Sequence, residues 1–262
     1  MFQKIKSLLR PETNAIRCIG TYHKTGSVWL QGIFSELAGE LGLQFTEVEI
    51  DTDLDPSALK NAFIFNHSTR FPPNLYSEPV SGVRIIRDPR DMVISAAHYH
   101  CWSSEPWLHA KQDIFGGKSY SEAIKSLELA QETYSFEMRH TTSYVIRQMV
   151  NSDSNKALHR FIDKNFLTIR YEDLIADSDL IEVKKICLQL NISLKETSEI
   201  FMKKSLFGQQ KPDGAHIRSG KTQQWKTEFN RTIAEEFANL HQGSLETLGY
   251  ETDTSWLDQF SD

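Results

Sequence analysis

One segment restricts the choice of fold more than any other. The apolar run Ala15–Gly20 predicts a buried strand, and the stretch Val28–Leu41 predicts a helix. The connection between them, Gly20–Ser27, is short and contains Gly26. A strand, a glycine-containing loop and a helix in this order are typical of the opening of an α/β fold.

The rest of the chain continues this alternation. Asp88 is a good N-cap and Pro89 a good first helical residue, so a second strand-to-helix junction is predicted there. We therefore predict a mostly parallel sheet flanked by helices, in a single domain spanning residues 1–262. The further predicted strands are Phe45–Ile50, Ala62–Asn66, Val83–Arg87 and Phe166–Tyr171. The further predicted helices are residues 2–9, Ser121–Val150, Asp179–Leu190, Lys195–Lys204 and Thr232–Leu248.

Composition excludes several classes of protein. The 262 residues carry 29 Lys and Arg against 35 Asp and Glu, a formal net charge of −6, so we expect no nucleic-acid partner. No apolar run approaches the length of a membrane span, and residues 1–13 lack the pattern of a signal peptide. Cys18, Cys101 and Cys187 lie far apart, which favours a reducing, cytoplasmic location.

The first loop has the composition of an anion-binding site. Backbone N–H groups at the start of the following helix attract anions, and Lys24 and Ser27 add a charge and a hydroxyl donor. The ATPase pattern G-x-x-x-x-G-K-[ST] is absent, because Lys24 precedes Gly26 instead of following it. The alternative interpretation is a plain glycine-containing connection with a surface lysine.

The second junction adds another cation. Arg87 ends a predicted strand, and Ser95 lies on the face of the next helix that also carries Asp91. An arginine can bind a phosphate through two parallel hydrogen bonds, to which Ser95 would add a third. The alternative is that Arg87 simply pairs with Asp88 or Asp91.

Four motifs in order resemble those of the cytosolic-type sulfotransferases that use 3′-phosphoadenosine-5′-phosphosulfate (PAPS). The family opens with T-Y-P-K-[ST]-G-[ST]-T-W-L, and this chain has Thr21–Leu30, TYHKTGSVWL. The family's second motif, near R-[ND]-P-[KR]-D-x-x-x-S, corresponds to Arg87–Ser95, RDPRDMVIS. Tyr171–Asp173 supplies the Tyr-Glu-Asp that ends a later strand, and Arg218–Lys226 resembles the late R-K-G-x-x-G-D-W-K motif.

The resemblance implies a role for each matching residue. Lys24 would hold the 5′-phosphosulfate and stabilise the bridging oxygen as the S–O bond breaks, leaving 3′,5′-adenosine bisphosphate (PAP). Trp29 would stack on the adenine, with Tyr171 nearby. The segment Phe65-Asn66-His67 makes His67 the candidate general base; otherwise His67 is a loop histidine that caps Ser68 or packs on Pro72. Further loop contacts would come from Thr25, Gly26, Ser27 and Val28, and the 3′-phosphate contacts from Arg87, Ser95, Arg218, Ser219 and Gly220.

Several positions depart from the family pattern. His23 replaces a proline, Val28 a threonine that helps bind the 5′-phosphate, and Ser219 a lysine. Phe65 replaces a lysine near the transferring group, so Lys24 would act alone there. Of the family's dimer motif only the ends, Lys226 and Glu235, are present, which leaves the oligomeric state open.

The acceptor is expected to be a small molecule. In the family, the stretch that corresponds to residues 98–120 shapes the acceptor site, and here it is rich in aromatics, with Glu105 and Asp113 among them. Such a set could receive a cationic or phenolic ring. The alternative is an amphipathic surface insertion that packs its own aromatics. The chain length fits a microbial enzyme acting on a small metabolite, including a specialised natural product. The aromatic residues and histidines of the stretch are His98, Tyr99, His100, Trp102, Trp107, His109, Phe115 and Tyr120.

Two other classes of function compete with sulfuryl transfer. A nucleotide or small-molecule kinase also begins with a phosphate loop after its first strand, but Arg84 and Arg87 interrupt the strand that would end in a magnesium-binding Asp. The second competing class is a relative that binds nucleotide without turnover. The departures from the family pattern at Val28, Ser219 and Phe65 suggest it. No carboxylate or histidine set has metal-ligand spacing, so we expect no metal.

Overall fold

The computed structural model describes residues 15–204 and 221–260. The strands are β1 (Ile16–Gly20), β2 (Gln44–Glu47), β3 (Ala62–Asn66), β4 (Val80–Ile86) and β5 (Phe166–Arg170). The helices are α1 (Ser27–Glu40), α2 (Pro89–His100), α3 (Pro106–His109), α4 (Tyr120–Lys125), α5 (Ala130–Glu137), α6 (Ser143–Met149), α7 (Lys156–Asn165), α8 (Tyr171–Ile175), α9 (Ile181–Leu190), α10 (Leu194–Lys203), α11 (Trp225–Glu228), α12 (Arg231–Leu240) and α13 (Ser244–Leu248). Short 3-10 helices cover Pro56–Asn61, Pro73–Leu75, Asp113–Phe115 and Thr254–Gln259.

The described residues divide into two compact units, each built from two stretches of chain. The first unit contains residues 15–86 and 154–204, and the second contains residues 87–153 and 221–260. All five strands belong to the first unit. The single domain expected over residues 1–262 stays a prediction.

The first unit is built on a parallel sheet with the strand order β2-β3-β1-β4-β5. Each adjacent pair runs parallel, so all the strands end at the same edge. Alternate residues of a strand point to opposite faces. Ile19 of β1 faces a core that includes α1, α9 and α10, whereas Cys18 faces a second core that includes α7. The α/β class with a parallel sheet and helices on both faces is confirmed.

The first helix shows why the sequence folds as it does. Leu30, Ile33, Phe34 and Leu37 recur at helical spacing, and each is fully buried against the sheet. The helix begins directly after Gly26, whose φ of 87° lies in the left-handed region that glycine adopts without strain. This placement fixes the loop at the end of β1.

The second unit holds a small aromatic and aliphatic core around Leu108, Tyr120 and Ile124. Its first helix, α2, begins as predicted, because the Asp88 carboxylate accepts a hydrogen bond from the backbone N–H of Arg90 and Pro89 follows the cap. Helix α4 begins with a capping box, in which Ser119 and Glu122 each bond the other's backbone N–H.

Several predicted bounds were wrong. The helix expected over Ser121–Val150 is broken after Lys125, and a π-helical turn at Met138–Thr142 separates α5 from α6. The helix expected over Thr232–Leu248 is interrupted at Gly243, which has a φ of 70°. Tyr171 begins α8 and does not end β5. Helix α7 was not predicted, although Asn155 caps it and Leu158, Phe161 and Ile162 form its buried face. Residues 2–9 lie outside the described residues.

Candidate functional site

The loop after β1 is held closed by its own hydroxyl groups. Thr25 Oγ1 accepts from the Tyr22 backbone N–H at 2.9 Å and donates to the Tyr22 carbonyl at 2.8 Å. Ser27 Oγ donates to the same carbonyl at 2.9 Å. Both hydroxyls therefore shape the loop, and Thr25 is fully buried. The ligand contacts expected of Thr25, Gly26, Ser27 and Val28 stay predictions.

The start of α1 has the charge distribution of an anion site. The helix has no side-chain cap and no acidic residue in its first turn, so its own first turn places no carboxylate at the positive end of the helix. Lys24 lies in the loop before Ser27, the first residue of the helix, with a φ of 67°, in the left-handed region that non-glycine residues rarely adopt. Val28, in the first turn, is 53% exposed.

Trp29 and Tyr171 pack beside this loop. The two rings meet edge to face with centroids 6.3 Å apart, and Trp29 Nε1 donates to the Lys204 carbonyl at 2.8 Å. Tyr171 backs the loop directly, since a Cβ at Gly26 would lie 2.9 Å from its ring. Their expected roles near an adenine stay predictions.

His67 follows β3 and contacts a carboxylate. Its Nε2 donates to Glu47 Oε2 at 2.8 Å, and its ring meets the Phe65 ring at 5.0 Å between centroids. Ser68 is not capped by the histidine, because Asn66 Oδ1 accepts from the Ser68 backbone N–H. Glu47 was not singled out in the sequence.

Arg87 and Ser95 belong to the second unit, where Arg87 is nearly buried and Ser95 half-buried. The two carboxylate oxygens of Asp88 accept hydrogen bonds from the Arg90 guanidinium at 3.0 and 2.8 Å. The oxygens of Asp91 accept backbone N–H groups of Gln223 and Trp225. Burial raises the pKa of Asp91, an effect that the charge of Arg87 opposes. Arg218, Ser219 and Gly220 lie outside the described residues.

The aromatic stretch, residues 98–120, is partly core and partly exposed. Tyr120 and His100 are buried, whereas Trp102 is 52% and Trp107 40% exposed. Glu105 accepts from the Tyr99 hydroxyl at 2.7 Å and from Trp107 Nε1 at 2.6 Å, so this carboxylate is held between two rings.

His100 forms part of a closed polar cluster around Glu137. One carboxylate oxygen accepts from His100 Nδ1 and from the Tyr120 hydroxyl, each at 2.8 Å, and the other accepts from Thr142 and Thr141. Burial acts to raise the pKa of the Glu137 carboxyl. The net pKa nevertheless lies below the usual value, because the hydrogen bond and charge of His100 and the hydroxyl donors favour the ionised form. The expected structural role of His100 agrees with this contact.

Two features are absent from residues 15–204 and 221–260. None of the helices there combines the length and apolar character that crossing a membrane requires. Within the same ranges, no three side chains of the His, Cys, Asp and Glu types come together as a metal site.

Comparison with solved structures identifies the fold. The chain resembles mouse sulfotransferase SULT7A1 complexed with PAP, with 18% identity, 96% of this chain and 89% of that chain covered, and a TM-score of 0.56. Retinol dehydratase with androsterone and inactive cofactor PAP is 15% identical over 91% of this chain and 82% of that chain, with a TM-score of 0.45. Retinol dehydratase with retinol and PAP is 16% identical over 93% of this chain and 86% of that chain, with a TM-score of 0.46.

Comparison of sequences identifies the family. No curated protein sequence matches the chain. A profile of the sulfotransferase domain, however, matches residues 18–249, which include the loop of Lys24, the junction at Arg87 and the late motif around Trp225. The chain belongs to the sulfotransferase family.

Proposed function

We propose that this sulfotransferase transfers the sulfuryl group of PAPS to a hydroxyl group, or to an amine, of a small-molecule acceptor, releasing PAP. The observation that carries the proposal is the loop before α1, where Lys24 lies beside a helix N-terminus that carries no acidic cap. A phosphosulfate is an anion, and this is the arrangement that attracts one. The similar mouse sulfotransferase is complexed with PAP, which supports the same donor.

Lys24 and His67 are proposed to carry the chemistry. Lys24 would bind the 5′ end of the donor and stabilise the negative charge that develops on the bridging oxygen. His67 would take the proton of the acceptor as the acceptor attacks sulfur in line with the leaving phosphate. Arg87 and Ser95 are proposed to contact the 3′-phosphate, together with Arg218, Ser219 and Gly220. Trp29 and Tyr171 are proposed to lie near the adenine.

The acceptor is proposed to be a small metabolite with an aromatic ring, of the kind found among microbial natural products. The exposed rings of Trp102 and Trp107, and the Glu105 carboxylate held beside them, support this choice. Aromatic side chains bind rings and cations, and a carboxylate favours a cation or a phenolic hydroxyl. The free thiols Cys18, Cys101 and Cys187 support a cytoplasmic location.

A turnover assay tests the donor and separates the competing classes. The protein is given PAPS or ATP with a probe mixture of 2-naphthol, benzyl alcohol and aniline, in the presence of EDTA. We expect release of PAP from PAPS, and we expect EDTA to leave it unchanged. Release of ADP that requires added magnesium would establish a kinase instead. Tight PAP binding without any turnover would establish a relative that only binds nucleotide.

Two variants test the proposed roles. Lys24→Ala should lower kcat by a larger factor than it raises the Kd of PAP, because the lysine acts most strongly in the transition state. His67→Ala should lower kcat by roughly 10²–10⁴ and leave PAP binding intact, as expected for a general base. Lys195→Ala, at an exposed position of α10, is the matched control. Normal turnover by His67→Ala would require another base.

A further inference from the structure

Glu47 and His67 come together through the register of two parallel strands. Glu47 is the last residue of β2 and is paired with Phe65 of β3. His67 lies two residues beyond Phe65, just past the end of β3 at Asn66, where its side chain reaches Glu47. The result is the 2.8 Å hydrogen bond from His67 Nε2 to Glu47 Oε2.

Both partners are held by further contacts within the same unit. Gln31 of α1, one turn beyond Ser27, donates from Nε2 to Glu47 Oε1 at 2.8 Å. The Phe65 ring, which is fully buried, meets the imidazole nearly edge to face. The glutamine therefore orients the carboxylate, and the phenylalanine limits rotation of the imidazole. These contacts link the helix that follows the Lys24 loop to the candidate base.

We propose that Glu47 is a positioning residue that fixes the tautomer of His67 and selects Nδ1 as its basic atom. The inference rests on the proposed function. A carboxylate only accepts hydrogen bonds, so His67 Nε2 must carry a hydrogen when it contacts Glu47. In the neutral imidazole, the lone pair is then on Nδ1.

The proton balance follows from this assignment. As the acceptor oxygen forms its bond to sulfur, its proton passes to Nδ1 of His67. The bond from sulfur to the bridging oxygen breaks, and its electron pair stays on the phosphate of PAP. Glu47 faces the positive charge that the imidazole gains. The imidazolium then releases its proton to water.

A contribution to folding does not explain the pair. The side chains of His67 and Glu47 are 38% and 46% exposed, and ion pairs this exposed contribute little to stability. A contribution to catalysis is consistent with the same geometry. One fixed hydrogen bond is enough to orient the imidazole, and the site need not exclude water. The partial exposure does reduce the expected effect relative to that in a buried triad.

Kinetics of the full chain with PAPS and 2-naphthol test the inference. Glu47→Gln should lower kcat about tenfold, with the KM for 2-naphthol, the Kd of PAP and the melting temperature unchanged, because an amide neither holds the tautomer nor balances the charge. Glu49→Gln is the matched control, two residues along the chain and exposed. In a His67→Ala background, Glu47→Gln should cause no further loss. Unchanged kcat in Glu47→Gln, or an undiminished loss in the His67→Ala background, would overturn the inference.

A spectroscopic measurement tests the same inference without turnover. Long-range ¹H–¹⁵N correlation of the His67 ring at pH 8 should show the tautomer with hydrogen on Nε2, and Glu47→Ala should reduce that preference. A majority of the Nδ1–H tautomer in the unmodified protein would overturn the inference even if the protein is an active sulfotransferase. Conversely, failure of every probe acceptor would count against the proposed function, while the tautomer would still decide whether Glu47 positions His67.

Discussion

The guanidinium carbon of Arg90 lies 3.5 Å from the centroid of the Trp225 ring and 4.8 Å from that of Trp256. The same guanidinium pairs with Asp88 at 2.8 Å and with Glu251 at 2.7 Å, and it is almost fully buried. Arg90 thus fastens the start of α2 to residues near the C-terminal end of the second unit.

Replacing Arg90 should destabilise the protein strongly. Arg90→Ala leaves the buried Asp88 without its bidentate partner, so we expect the free energy of unfolding to fall by about 3–5 kcal/mol. Arg139→Ala, which removes an ion pair from a side chain that is 57% exposed, should cost about 0–1 kcal/mol. Urea unfolding measures both. Equal losses in the two variants would contradict this account of Arg90.

Two glycines of the first unit should respond oppositely to alanine. At Gly26 the φ of 87° and the Tyr171 ring 2.9 Å from a new Cβ both oppose a side chain, so Gly26→Ala should cost about 1–3 kcal/mol and weaken PAP binding. At Gly39 of α1 a Cβ meets nothing within 4 Å, and Gly39→Ala should stabilise the helix by up to about 1 kcal/mol. Thermal unfolding and calorimetry with PAP measure the contrast. A tolerant Gly26 would show that the loop is not fixed as described.

The 3′-phosphate should be recognised by Arg87. We expect PAP to bind more tightly than AMP, and Arg87→Ala to weaken PAP on the order of 2–4 kcal/mol while leaving AMP nearly unchanged. Isothermal calorimetry with the two nucleotides gives the comparison, and Arg139→Ala is the control for loss of a charge. Equal affinities of the unmodified protein for PAP and AMP would remove this assignment.

The exposed tryptophans should act on the acceptor alone. Trp102→Ala and Trp107→Ala should each raise the KM for 2-naphthol without changing the Kd of PAP. Ile114→Ala is the control, since Ile114 is an apolar residue of the same stretch and is 71% exposed. Normal kinetics in both tryptophan variants would show that the stretch packs its own aromatics and does not bind the acceptor.

His241 should make stability depend on pH. Burial, with a smaller contribution from the charge of Arg147, lowers its pKa to about 4. The unfolded chain, with a histidine pKa near 6.5, binds the proton first, so stability is lost as the pH falls from about 6.5 towards 4. By this linkage His241 should cost about 2 kcal/mol at pH 5 relative to pH 7. His241→Phe should reduce the difference between urea unfolding at the two pH values by this amount, and an unchanged difference would exclude the histidine as its source.

The sequence predicted the features that depend on neighbouring residues. The cap at Asp88, the bounds of β3 and the buried stripe of α1 each follow from residues within one element, and each is confirmed. The π-helical break was missed because its surroundings also depend on tertiary context. The π-helical turn at Met138–Thr142 adjoins Glu137, whose partners His100 and Tyr120 are 37 and 17 positions away.

The candidate site was predicted only in part, for the same reason. Motifs singled out Lys24, His67 and Arg87 as candidates, because each stands in a recognisable local pattern, and their roles stay predictions. Glu47 had no such pattern, since it lies 20 positions before His67 and meets it only through the pairing of β2 with β3. Arg90 and Asp91 stood within the motif at the second junction, but their partners Glu251, Gln223 and Trp225 lie far along the chain and were not visible in it.

The hydrogen bond between the Trp225 backbone and Asp91 spans 134 positions and has a consequence for synthesis on the ribosome. The chain emerges from its N-terminal end, so Arg90 and Asp91 leave the exit tunnel long before residues 223–256 exist. Until then, the Arg90 guanidinium cannot contact the Trp225 ring, and the Asp91 carboxylate cannot accept the Trp225 backbone N–H. Residues 87–153 of the second unit therefore stay incompletely packed until residues 223–256 have been synthesised. A ribosome that stalls before residue 223 would leave Arg90 and Asp91, at the start of α2, accessible to chaperones.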